Sequence, residues 1–235
     1  MYAIPGIDGS IGTIQPVAEH LARSREVVVV DYRHETNRTL DELATEIAEA
    51  IRADGQGSFD LLGQSIGTVL AAQVATLHEL PVRRVVLTST FTRLRWRLLR
   101  AVAVVTRLTP VPLYRLTSSL VVAVSCGPVG DGADHPCFAT SRDADKDAVA
   151  RRTRWQVDRD FAPDLARLRG EILVLMGARD RFVPDAAREL RILRRLFSDN
   201  AGARVEAIRG AGHIFLPSRA IGTANVAIGQ FLDAP

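Results

Sequence analysis

Only two cysteines, Cys126 and Cys137, occur among 235 residues, and Lys146 is the single lysine. Two thiols cannot staple a chain of this length, so a disulfide framework is excluded. They sit close together in a glycine-rich stretch with His135 between them. Three readings follow: a short loop disulfide, a metal site short of ligands, or free thiols, the default in a reducing compartment. No run approaches the ~18 uninterrupted apolar residues of a spanning helix, and MYAIPGIDGS lacks the basic and apolar regions of a secretory leader. A soluble, cytoplasmic chain without a transmembrane segment is expected. Acidic residues are missing from Leu80 to Gly130, where eight arginines fall. No helix-turn-helix, zinc-ligand or aromatic-platform pattern accompanies them, so a nucleic-acid partner is not expected.

What is present suffices for a core. With 47% hydrophobic and 24% charged residues and a net charge of +3, the chain fits one globular α/β domain with an insertion. Tyr2 to Ile4 reads as a short strand, and a helix follows from about Thr13 to Ala22, with Pro16 tolerated in its first turn. EVVVVD, Glu26 to Asp31, reads as a strand covered on both faces of a parallel sheet. Thr39 and Glu42 form a capping box before Leu43, Ile47, Ala50 and Ile51 at helical spacing. Strands are expected at Phe59 to Leu62, Arg83 to Thr88, Glu171 to Met176 and Val205 to Ile208. Helices are expected from Pro184 to Phe197, with Ala187, Leu190, Leu193 and Phe197 inward, and from Ser218, with Ile221, Ala224, Ile228 and Phe231 inward. Such alternation implies a mostly parallel sheet of about six strands with helices on both faces.

The alternation breaks between Phe91 and Asp160. Helical stretches from Leu94 to Val105 and from Leu113 to Val124 are separated there by Pro110 and Pro112. A loose CGPVGDGADHPC segment follows, then a charged helical stretch from about Asp143 to Arg159. Apolar residues interleaved with arginine suggest an amphipathic cap, roofing a site or meeting lipid or an acyl carrier. The plain alternative is a helix pair on its own core with solvated arginines.

One pentapeptide carries chemistry. Gly63-Gln64-Ser65-Ile66-Gly67 lies between an apolar strand and a small-residue helix, the setting in which a tight turn strains the central residue and lifts its hydroxyl outward. The helix beginning after Ser65 presents unpaired amides, Ile66 first, where an oxyanion would form. The loop Pro5-Gly6-Ile7-Asp8-Gly9-Ser10 is either an ordinary turn or the source of a second donor, the amide of Ile7. A serine hydroxyl needs a base, and an imidazole needs a carboxylate to hold its tautomer. His213 and Asp180 each follow a late strand at the sheet edge where open α/β folds bind ligands. His20, His34, His78 and His135 do not, Asp185 belongs to the next helix, and Asp8 lies in the oxyanion loop.

Five segments, PGIDGS, EVVVVDYR, GQSIG, GARDRFVP and GAGHIFL, together resemble the α/β-hydrolase superfamily over nearly the whole chain. The resemblance implies an acyl-enzyme on Ser65, a core formed by 1–90 and 161–235, and a cap at 91–160. Pro5-Gly6 stands where His-Gly is usual, and the antiparallel hairpin common before the first strand is missing. The PGIDGS loop and the LDELA helix are also similar to synthase-associated thioesterases. The expected function is cofactor-independent hydrolysis of carboxylic esters without a metal. The alternatives are an acyl thioesterase served by a carrier protein, and a non-catalytic ligand-binding protein. Relatives that cleave halides or epoxides use an aspartate where Ser65 stands.

Overall fold

Neighbouring residues of the central strands are apolar on both sides, and the structure shows where each set goes. Leu61, Val85, Ile172 and Val174 pack into one cluster with residues of the helices on the first face. Leu62, Val86, Leu173 and Leu175 pack into a second cluster on the opposite face. A strand buried on both sides thus reads as a continuous apolar run.

The computed structural model of the chain describes residues 1–55, 57–94, 99–157 and 159–234. The core alternates β1 (Tyr2–Ile4), α1 (Gln15–Leu21), β2 (Val28–Val29), α2 (Leu40–Ala53), β3 (Phe59–Gln64), α3 (Gly67–Leu77) and β4 (Val82–Thr88). Helices α4 (Leu99–Leu108), α5 (Val111–Cys126), α6 (Pro136–Asp143) and α7 (Lys146–Trp155) intervene. The chain then resumes with α8 (Ala162–Leu165), β5 (Glu171–Gly177), α9 (Ala186–Leu196), β6 (Ala203–Ile208) and α10 (Ser218–Asp233). The six strands form one sheet in the order β2-β1-β3-β4-β5-β6, and every pairing is parallel. This is the sheet expected, with α2, α3 and α9 on one face and α1 and α10 on the other.

Several local expectations need correction. EVVVVD yields only the two-residue β2, with Val28 exposed. Its partner β1 is three residues long, and β2 is the sheet's edge, so the β-branched run is paired on one side and half covered. Ala187 and Ala50 face solvent, while Ala186, Ala44 and Ala48 are buried in their helices. Pro112 does not separate helices but sits in the first turn of α5, where its missing N–H has no intrahelical role. The charged stretch from Asp143 to Arg159 holds one helix, α7, which starts only after α6 has ended at Asp143; Asp145 caps α7 by accepting the N–H groups of Asp147 and Ala148 at 2.8 and 3.2 Å. Of the expected helix Leu94 to Val105, residues 95–98 lie outside the described residues.

The glycine-rich segment is loop from Gly127 to His135, as expected, and only its last two residues, Pro136 and Cys137, belong to α6. His135 precedes that helix, and its Nδ1 accepts the N–H of Cys137 at 3.1 Å, which requires a neutral ring with its proton on Nε2. Burial holds the His135 pKa down, at about 4. Unfolded histidine binds its proton near 6.5, so acid favours the unfolded chain. His135 therefore contributes stability above pH 6.5 that is lost as the pH falls towards 4. Up to about 3 kcal/mol is expected from this group, measured as the shift in urea midpoint between the two ends of that window. His135→Asn keeps a capping acceptor without a titrating ring and should flatten this part of the profile. An unchanged acid slope in the variant would exclude His135 as the cause.

Candidate active site

Backbone geometry at the end of β3 comes first. Ser65 has φ 53°, the left-handed region that disfavours side chains with a Cβ. The turn is pinned on both sides: the Ser65 N–H donates to Thr88 O at 2.9 Å, and the Thr68 hydroxyl donates to Ser65 O at 2.6 Å. Gly63 and Gly67 are steric requirements. A Cβ on Gly67 would lie 2.2 Å from Pro5 O, and one on Gly63 would lie 2.6 Å from Gly67 O. The two glycines let α3 start directly against β1 and β3, which leaves the Ser65 side chain pointing away from the sheet.

Three expected residues from distant parts of the chain meet at that point. Ser65 Oγ is 2.9 Å from His213 Nε2, and His213 Nδ1 is 2.7 Å from Asp180 Oδ2. All three are buried. The other Asp180 oxygen accepts the N–H groups of Phe182 and Val183 at 2.8 and 3.0 Å, so the carboxylate is oriented by its own loop. The Phe182 ring lies 4.6 Å from the imidazole, centroid to centroid. The His213 carbonyl accepts from the Ser89 hydroxyl. His20, His34, His78 and His135 take no part in this chain of hydrogen bonds; His78 ends α3 and His135 caps α6. Asp185 caps α9 through Arg188 N.

The two expected oxyanion donors stand beside Ser65 in different loops. Gly6 O accepts from Gly9 N at 2.9 Å and from the Tyr32 hydroxyl at 2.7 Å. In a trans peptide the following N–H points the opposite way, so these contacts turn the Ile7 N–H away from Tyr32. Ser65 O is taken up by Thr68, which similarly frees the Ile66 N–H at the start of α3. Among the described residues neither amide has a hydrogen-bond acceptor. Gly6, Ile7, Ser65 and His213 line one cavity of about 270 Å³, and among the described residues Asp8 is the sole carboxylate in its lining. Among the described residues no lysine or arginine lines it. A larger open groove of about 800 Å³ between β2 and α2 contains none of the three residues.

Sequence reasoning missed Arg152. This side chain of α7 is fully buried and reaches the Ile7 loop. Its Nη1 donates to Ile7 O at 3.0 Å, and Nη2 donates to Tyr32 O and, at 3.2 Å each, to Arg33 O and Glu35 O. The guanidinium lies 4.7 Å from the Tyr32 ring centroid, and Tyr32 in turn holds Pro5 O and Gly6 O. Asp8 is buried close by; burial pushes its carboxyl up, opposed by the Ser10 hydroxyl and then by the charge of Arg152. One arginine thus joins the inserted helices to the loop presenting Ile7. Its only sequence signal was spacing, four residues after the buried Ala148. Removing it by Arg152→Met leaves carbonyls and Asp8 without their cation, and should destabilise the protein by about 3–5 kcal/mol. Chemical denaturation measures this; a loss under about 1 kcal/mol would mean the carbonyls find water instead.

The thiols are not bonded to each other. Burial pushes both upward, Cys137 to about 12, so they stay protonated and serve packing.

A parallel six-stranded sheet with a strained serine at a strand-to-helix turn, and a histidine and an aspartate after later strands, defines the α/β-hydrolase class. The profile of the Alpha/beta hydrolase family matches residues 5–226, and the chain belongs to that family. A search of curated proteins gave no match. Among solved structures, the chain is similar to a hydrolase from Pseudomonas aeruginosa, at 19% identity and TM-score 0.81, covering 99% of this chain and 89% of that one. It is also similar to a thermophilic esterase from Thermogutta terrifontis, with 20% identity, TM-score 0.76 and coverage of 98% and 88%. An enol-lactonase from Burkholderia xenovorans gives 20%, 0.76, 99% and 90%. At these identities the likeness is one of fold. Among the described residues no helix is long and apolar enough to cross a membrane.

Proposed function

We propose that this protein hydrolyses neutral carboxylic esters through an acyl-enzyme on Ser65. The observation that carries the reading is the continuous hydrogen-bonded path from Asp180 through His213 to Ser65, ending in a cavity that no lysine or arginine among the described residues lines. Ser65 Oγ attacks the ester carbonyl while His213 Nε2 takes its proton. Asp180 keeps the other ring proton on Nδ1 and stabilises the imidazolium. The amides of Ile7 and Ile66 receive the oxyanion, and the same imidazolium then protonates the leaving alcohol. Water activated by His213 repeats the sequence on the acyl-enzyme and frees the acid. Helices α4 to α7 act as a cap: Val102, Val105, Tyr114, Val121 and Val149 line the cavity and exclude water from the reacting carbonyl.

No polar group of the lining distinguishes an oxygen ester from a thioester, so turnover of matched pairs decides between esterase and thioesterase. A series of activated esters graded by acyl length, with labelling by a serine-directed phosphonate, tests the reading. Hydrolysis and labelling that both depend on Ser65 are expected. Failure to cleave any ester, with a ligand still held in the cavity, would make this a binding protein on a hydrolase scaffold.

A further inference from the structure

Ten of the fourteen exposed large hydrophobic side chains among the described residues belong to α4 and α5, so apolar exposure on this molecule is concentrated rather than scattered. On α5, Leu113, Leu116, Leu120 and Val124 are exposed at spacings of three and four, one face of a helix. Leu108 and Leu116 are 76% and 77% exposed. This stripe is continuous with the cavity, because Val102, Val105 and Val121 are both exposed and part of its lining. The way to Ser65 therefore opens through the apolar face. The far end of α5 is joined to the site as well: Cys126 O accepts the N–H of His213.

Charge selects among occupants. The two helices carry Arg100, Arg107 and Arg115, and no Asp or Glu occurs from Leu80 to Gly130. A two-fold contact with a second copy would set these arginines against their own equivalents, without a carboxylate on either helix. A carrier protein matches the charge but offers a mainly polar surface to a broad aliphatic stripe. A lipid surface with anionic headgroups over hydrocarbon matches both.

We propose that the outer face of α4 and α5 seats on an anionic lipid surface, the helices lying in the interface rather than crossing it. On the hydrolase reading above, the substrate is then an apolar ester that passes from the lipid between the two helices to Ser65.

Flotation of the full chain with vesicles of phosphatidylcholine, with and without one quarter phosphatidylglycerol, tests the proposal. Wild-type protein should float with the anionic vesicles and be released by salt. Arg107→Ala and Arg115→Ala should each weaken binding about fivefold. The double variant Leu116→Glu with Leu120→Glu should weaken it at least about tenfold while keeping the wild-type melting temperature and circular dichroism. Absence of flotation overturns the proposal, as does undiminished binding by the double glutamate variant. Sedimentation showing a dimer that this variant dissociates assigns the face to a second copy and also overturns it. Capture of an acidic acyl carrier protein without vesicle binding does the same for a carrier. Ser65→Ala protein should float like wild type, because docking does not use the nucleophile; wild-type protein that floats yet cleaves no ester refutes the hydrolase reading and leaves the docking surface standing.

Discussion

Replacing Ser65 by Ala should lower kcat for ester hydrolysis by roughly 10⁶-fold and abolish labelling by a phosphonate, since the remaining groups have no nucleophile to activate. Substrate binding should change little: the cavity wall is mostly aliphatic and hydroxyl side chains from the inserted helices, which the exchange does not touch. Stability separates this residue from a structural serine. At φ 53° an alanine keeps the strain of a Cβ in the left-handed region, whereas a glycine relieves it. Relief is worth about 1–3 kcal/mol, offset by about 0.4–1 kcal/mol from the freer unfolded chain of a glycine. Ser65→Gly should therefore be as inactive as Ser65→Ala but more stable by about 1 kcal/mol. Paired urea midpoints and progress curves measure both quantities. Wild-type turnover in Ser65→Ala would end the proposed mechanism.

The elbow was legible because its constraints are local. Two glycines are needed within five residues for contacts of 2.2 and 2.6 Å that no Cβ tolerates, and a buried strand needs apolar residues on both sides. The positions of Asp180 and His213 were legible through order alone, each following an apolar run that could only be a late strand. Long-range effects were hidden. The edge position of β2 depends on which strand lies beside β1, and nothing in EVVVVD distinguishes an edge from a centre. The α6–α7 break is made by Asp145, one carboxylate among several in a charged stretch. Arg152 looked like the arginines around it, because what sets it apart is a cluster of carbonyls contributed by residues 7, 32, 33 and 35. The cavity was invisible for the same reason, its walls coming from both the core and the insertion.

Arg152 also bears on how the core and the inserted helices cooperate. It fixes the carbonyl of Ile7 from α7, while Cys126 at the end of α5 accepts the N–H of His213. Both loops flanking Ser65 thus rest on the insertion as well as on the sheet. Displacement of these helices would move the proposed oxyanion donor and the proposed base together. This coupling gives the apolar face of α4 and α5 a direct mechanical connection to the site beneath it.

Asp180→Asn is expected to lower kcat about 10⁴-fold with little loss of stability, and the reason lies in which oxygen does what. One carboxylate oxygen accepts two backbone N–H groups, from Phe182 and Val183; the other faces His213 Nδ1. An asparagine nitrogen cannot accept, so the amide must turn its oxygen to Phe182 and Val183 and its NH₂ to the imidazole. Nδ1 then has to accept, the ring proton moves to Nε2, and the nitrogen facing Ser65 no longer has a lone pair for the hydroxyl proton. The nucleophile, the cavity and the two free amides all remain, yet general-base catalysis stops. Asp180→Ala makes the complementary case, orphaning two buried N–H groups and releasing the ring, so it should lose stability as well as turnover. A kcat for Asp180→Asn within tenfold of wild type would show that His213 is held in its working tautomer by something other than this carboxylate, and the proton path from Ser65 would have to be redrawn.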